Sequence, residues 1–171
     1  MSWERELFAL FDDLEQQAAG LEMATREVDI AELSIAEYAA VTFGSRLHAS
    51  VGNRVRLRVL GGQILVGELI RVGADWVLLK GIPEEWIVPT LSITAVVGLS
   101  QRSDVVTESA PVARLTMTSA LRRLASAREE CVIFWADQQQ LTGTLGRVGR
   151  DFVEVFAGDQ GRVHLVPLAL I

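Results

Sequence analysis

The sequence predicts a mainly β chain with helices (an α+β class): two small five-stranded antiparallel barrels, each preceded by a helix, plus a long N-terminal helical segment. Three observations predict it. A glycine-bearing stretch at 67–77 recurs at 143–153. Short runs of alternating apolar and polar residues, bounded by glycine, surround both copies. Ahead of them, residues 1–50 hold 10 acidic residues against 3 arginines, a balance of −7, with apolar residues at helical spacing.

The repeat is the firmest of the three. Gly67/Gly143, Leu69/Leu145, Arg71/Arg147, Val72/Val148, Gly73/Gly149, Asp75/Asp151 and Val77/Val153 are identical, and Trp76/Phe152 are both aromatic. Val88-Pro89 and Ile93 match Val166-Pro167 and Ile171, and Arg46-Leu47 match Arg123-Leu124. The offset drifts by a residue or two, as small loop insertions would make it.

Each copy follows one plan. In the first, 54–59 alternates as a half-buried strand, Gly61-Gly62 marks a hairpin turn, and 64–72 is a second strand with Gly67 as a bend or bulge. Strands at 76–79, 86–88 and 93–97 follow, and five short bent strands close most simply into a barrel. In the second copy, the corresponding strands are 131–135, 141–148, 152–156 and 163–166. This copy reaches Ile171 at the point equivalent to Ile93, so either the native chain runs on or the second barrel is open or completed by another element.

The helices come before the barrels. Trp3, Leu7, Leu10, Leu14 and Leu21 recur at heptad-like spacing, widened by Phe8 and Phe11, opposite an acidic face. Ile30, Leu33, Ala40, Phe43 and Leu47 make a second stripe, with a capping box at Ser34 and Glu37. Met117, Leu121 and Leu124 mark a shorter helix. The domain plan is therefore an acidic helical region at 1–50, a first barrel at 51–99, a polar linker at 100–112, and a helix with a second barrel at 113–171.

Composition excludes several classes. Of 16 basic residues all but Lys80 are arginine, and the net charge is −6, whereas a general nucleic-acid binder carries a basic surface. No window reaches the ~20 apolar residues of a membrane span. The N-terminus lacks the basic region of a secretory signal. Cys131 is the one cysteine, which rules out an internal disulfide and suits a reducing cytoplasm.

Residues 53–97 resemble an Sm-like domain, a small SH3-like barrel, and in particular the bacterial Hfq type. Gly67-Glu68-Leu69 and Leu78-Leu79-Lys80 stand at matching distances, and 92–97 (SITAVV) resembles the family's last strand. The tandem layout is similar to a set of actinobacterial proteins. The resemblance implies RNA binding and ring assembly through exposed strand edges. The residues that contact RNA in the Hfq type do not carry over. Their place is taken by Pro89-Thr90-Leu91 and by Pro167-Leu168-Ala169, the family's turn aspartate falls on Gly73 and Gly149, and its pocket asparagine has no counterpart at Val77 or Val153.

The candidate residues each have a functional and a plain reading. Arg54, Arg56 and Arg58 share one strand face, either a basic stripe for phosphate or for the chain's own acidic helix, or, on the favoured reading, a solvated outer surface. Arg71, Arg147, Asp75 and Asp151 form paired ligand sites or, on the favoured reading, local ion pairs and turn-capping carboxylates, and Gly67 and Gly143 are repeated structural positions. Trp76 and Phe152 are stacking platforms or core, with core favoured. His48 and His164 are solitary, so no metal site is expected. Cys131 reads as a buried inert thiol. Trp3, Leu7, Phe8, Leu10, Phe11 and Leu14 form the best interaction stripe, in trans or against the chain's own barrels. No catalytic constellation and no cofactor motif is visible. The functional expectation is a non-catalytic protein-interaction or assembly module, with another protein or a second copy as partner, no cofactor and no membrane. The alternative is an RNA-binding or nucleoprotein-associated regulator, disfavoured by charge.

Overall fold

The computed structural model describes residues 37–103, 115–158 and 161–171. The chain divides into two compact units, 1–41 and 42–171. The described part of the first is residues 37–41, which open with a helical turn. The expected N-terminal helix with its Trp3–Leu14 stripe, the capping box begun by Ser34, and most of the 100–112 linker lie outside the described residues.

The second unit is mostly β. A short helix α1 (Phe43–His48) leads into β1 (Arg54–Val59), β2 (Ile64–Val72), β3 (Trp76–Lys80), β4 (Glu85–Pro89) and β5 (Ile93–Val97). A second helix α2 (Met117–Ala127) leads into β6 (Glu130–Phe134), β7 (Gln140–Val148), β8 (Phe152–Ala157) and β9 (Arg162–Pro167). The strands fall where the alternation and glycines put them.

They do not build the two closed five-stranded barrels expected from the sequence. The first sheet is open, in the order β4-β3-β2-β1-β5, and the second has four strands in the order β6-β7-β8-β9. Closure would require the outer strands β4 and β5 to hydrogen-bond to each other. Instead, β4 turns through a single 3-10 turn, Thr90–Ser92, into β5 at the far edge, and side chains of β4 pack toward the second sheet. Among the described residues the second expected helical stripe is also interrupted. Thr42 caps α1 in a reciprocal box with Ser45, so the expected Ile30–Leu47 stripe does not run on as one helix into Phe43.

Both copies share order and register. Val77 stands opposite Val88 as Val153 stands opposite Val166. Gly67 and Gly143 lie where the backbone of the neighbouring strand comes too close for a side chain, against the carbonyls of Lys80 and Phe156. The ladder irregularity itself sits further along β2 and β7, between Leu69 and Arg71 and between Leu145 and Val148. Each irregularity bends its strand over a core.

The first core gathers Leu47 from α1 with Leu57, Leu69, Val77 and Leu79, all fully buried. Side chains of this kind contribute roughly 1.5–3 kcal/mol each when removed from water. The second core holds Leu121, Ile133, Leu145, Val153 and Val155, and it takes in Trp76 from the first sheet, with Leu78 and Ile87 packed beside it. The two repeats therefore share a core. At the start of the linker region, Ser100 is tied back to the helix end. Its N–H donates to Ser50 Oγ, and its carbonyl accepts from Arg46 Nε.

Candidate interaction surfaces

The repeated Gly-x-Asp-aromatic turn joins β2 to β3 and β7 to β8. Gly73 N–H donates to the Trp76 carbonyl, and Gly149 N–H to that of Phe152. In both turns the aromatic ring lies over the glycine, leaving no room for a Cβ. The Asp75 and Asp151 carbonyls accept from the N–H groups of Thr90 and Leu168. These shared bonds are backbone, and they account for the scaffold.

The side chains of the two turns differ. Asp75 Oδ1 accepts the backbone N–H of Met117, the first residue of α2, at 2.6 Å. Trp76 Nε1 donates to the Leu115 carbonyl at 2.8 Å, and Ala74 N–H donates to that same oxygen at 3.0 Å. The first turn is thus the docking point for the second repeat. Asp151 makes no side-chain hydrogen bond among the described residues, and Phe152 is only partly buried.

Arg71 and Arg147 also diverge. Arg147 grips Glu154 with two bonds, Nη2 to Oε1 at 2.9 Å and Nε to Oε2 at 3.0 Å. The Arg147 hydrogen bonds hold the Glu154 carboxyl below its usual range. The residue equivalent to Glu154 in the first copy is Leu78, packed toward the second core. Arg71 is exposed, with no acidic partner among the described residues.

Arg54, Arg56 and Arg58 stand on the exposed face of β1, alternating with buried Val55 and Leu57. Register places aliphatic residues on both sides of them. Arg56 lies between Val66 of β2 and Val97 of β5, and Arg58 lies between Ile64 and Ala95. Arg54 faces Glu68. The flanking Ile64, Val66 and Val97 are 48%, 41% and 67% exposed. None of the three arginines has an ion-pair partner among the described residues. Sequence reasoning found the arginines and missed the flanking rows, which depend on pairing between distant strands. In the second copy the equivalent face of β6 carries Glu130, Val132 and Phe134, and Phe134 packs on Trp86 with ring centroids 5.4 Å apart.

Among the described residues no three His, Cys, Asp or Glu side chains gather where they could hold a metal ion. Cys131 is partly buried, its thiol donates to the Gly143 carbonyl at 3.4 Å, and burial, with the charge of Glu130, pushes its pKa up. A raised pKa keeps it a thiol rather than a nucleophilic thiolate. A shallow open hollow between α2 and β7 is lined by Arg122, Arg128 and Arg147, but Arg122 donates to the Gly149 carbonyl and Arg147 is held by Glu154. No helix among the described residues is long and apolar enough to cross a membrane. Comparison with protein-family models, with curated proteins and with solved structures finds no match.

Proposed function

We propose that the chain is a non-catalytic protein-interaction module of a reducing compartment, and that the outer face of β2-β1-β5 takes an acidic, amphipathic protein segment. The observation that carries this reading is the row Arg54–Arg56–Arg58 between two exposed aliphatic rows. Alternate strand residues lie roughly 6.5–7 Å apart. Carboxylates four residues apart on a helix are spaced by about 6 Å, so a helix lying along β1 can offer one acid to each arginine. The aliphatic rows would bury that helix's apolar flanks, and Arg forms planar two-point bonds with carboxylates.

The alternative, an RNA-binding regulator, draws on the resemblance to Sm-like domains and on the fact that phosphates also suit an arginine row. Against it stand the net charge of −6 and the aliphatic rather than aromatic flanks, which offer bases no stacking platform.

The two readings separate in one titration. Fluorescence anisotropy would compare a helical peptide bearing Glu at every fourth position beside Leu, a scrambled peptide of equal charge, and single-stranded A-rich and U-rich RNA. The expected result is binding of the amphipathic peptide, weakened about 10-fold or more by R54E/R56E/R58E, with RNA and the scrambled peptide bound poorly. Equal binding of both peptides, or preference for RNA, overturns the protein reading.

A further inference from the structure

The three arginines of β1 are not equivalent. Arg54 ends a row of charges that crosses four strands at one level. Glu85 of β4 stands opposite Lys80 of β3, Lys80 opposite Glu68 of β2, and Glu68 opposite Arg54. All four residues are exposed, and residues paired in this way stand on the same side of a sheet. The signs alternate along the row, two acids and two bases, so the row is neutral as a whole. Opposite charges on paired positions attract, and like charges repel.

Arg56 and Arg58 belong to rows of another kind. Val66 and Val97 stand on either side of Arg56, and Ile64 and Ala95 on either side of Arg58. No acidic residue is paired with either of them, so nothing opposite offsets their charge. The outer face therefore has two ends. One is positive between aliphatic rows, and the other is already balanced.

We infer that Arg56 and Arg58 anchor the acidic segment, while the row through Glu68 closes the site at Arg54. This rests on the proposed docking face of β1 and narrows what it accepts. The motif is two carboxylates one helical turn apart between apolar flanks, not a run of three. Glu68 is the residue that sets this length. A third carboxylate that reaches Arg54 also meets Glu68, and attraction to one is offset by repulsion from the other. Exposed charge pairs are individually weak, so a pair opposed in this way adds almost nothing.

Fluorescence anisotropy of the full chain with three helical peptides tests the inference. The peptides share their apolar flanks and carry Glu-Glu-Glu, Glu-Glu-Gln or Glu-Gln-Glu at every fourth position. The last two have equal charge and composition. The wild type should bind Glu-Glu-Gln about 3-fold tighter than Glu-Gln-Glu, and Glu-Glu-Glu no more than about 2-fold tighter than Glu-Glu-Gln. Glu68→Gln should release Arg54, so that Glu-Glu-Glu gains about a further 3-fold over Glu-Glu-Gln. Arg56→Gln and Arg58→Gln should each weaken Glu-Glu-Gln about 5-fold, and Arg54→Gln by less than about 2-fold. The comparison of the two matched peptides needs no variant, so it stands whether or not a substitution disturbs folding. Equal binding of those two, an equal loss at all three arginines, or an unchanged preference in Glu68→Gln overturns this inference and leaves the protein reading intact. A wild type that binds none of the three peptides overturns both.

Discussion

Asp75 and Met117, 42 positions apart, are joined by a 2.6 Å bond from the Met117 backbone N–H to the Asp75 carboxylate. Met117 opens α2, so a turn of the first repeat supplies an acceptor and a negative charge at the helix start that Thr116 caps from within. Both effects favour a carboxylate there. Asp75→Ala should lower stability by about 1 kcal/mol. Asp75→Asn, which keeps the acceptor and loses the charge, should lose less. Asp151→Ala should cost little, since no helix start meets its side chain among the described residues. Urea unfolding of the three variants checks the order, and an equal loss at Asp75 and Asp151 would contradict it.

Trp76 makes a second prediction. The residue is 4% exposed and sits in the core of the second sheet. Trp76→Ala should therefore cost about 3–5 kcal/mol, as large aromatic truncations in cores do. Trp76→Phe should cost far less, about 1 kcal/mol, because the Leu115 carbonyl keeps the Ala74 N–H as donor. Gly73→Ala places a methyl against the Trp76 indole and 2.7 Å from the Leu115 carbonyl. Neither can yield, so a loss of about 2 kcal/mol is expected. At Gly149 the atoms nearest an added methyl belong to the ring of partly buried Phe152, so Gly149→Ala should cost less. The midpoint of denaturant unfolding reads all four.

The strands were legible because their signals are local. Alternation in 54–59 and glycines at the turns mark β1 to β4, and the repeat carries the same marks to β6 to β9. The sharing of a core was not legible. Trp76 reads as a core residue from its strand position, but nothing in 67–77 says that the core belongs to the other repeat. Asp75 likewise reads as a local turn cap, while its partner lies beyond β5 and the linker region. Barrel closure failed as an expectation because strand count fixes neither which edges meet nor what packs against them. The arginine row was visible at once, but its aliphatic flanks come from the register of β2 and β5, which periodicity within β1 cannot supply. The grip of Arg147 on Glu154 crosses the irregularity in β7, and simple alternation does not foresee it.

Glu154 gives a prediction in pH. The hydrogen bonds from Arg147 hold its carboxyl below the ordinary value. A group with a lowered folded pKa contributes stability that is present above its unfolded pKa and lost as pH falls through the folded value. Glu154→Gln should therefore be less stable than the wild type at neutral pH, and the gap should close as acid titrates the wild-type carboxylate. The pair is solvent-facing on its Arg147 side, so the loss should also shrink as salt is raised. Thermal unfolding of both proteins from neutral pH down to below the ordinary glutamate range, at low and high salt, measures this. A gap that is constant with pH would mean that Glu154 acts through its packing on β8 and not through its charge.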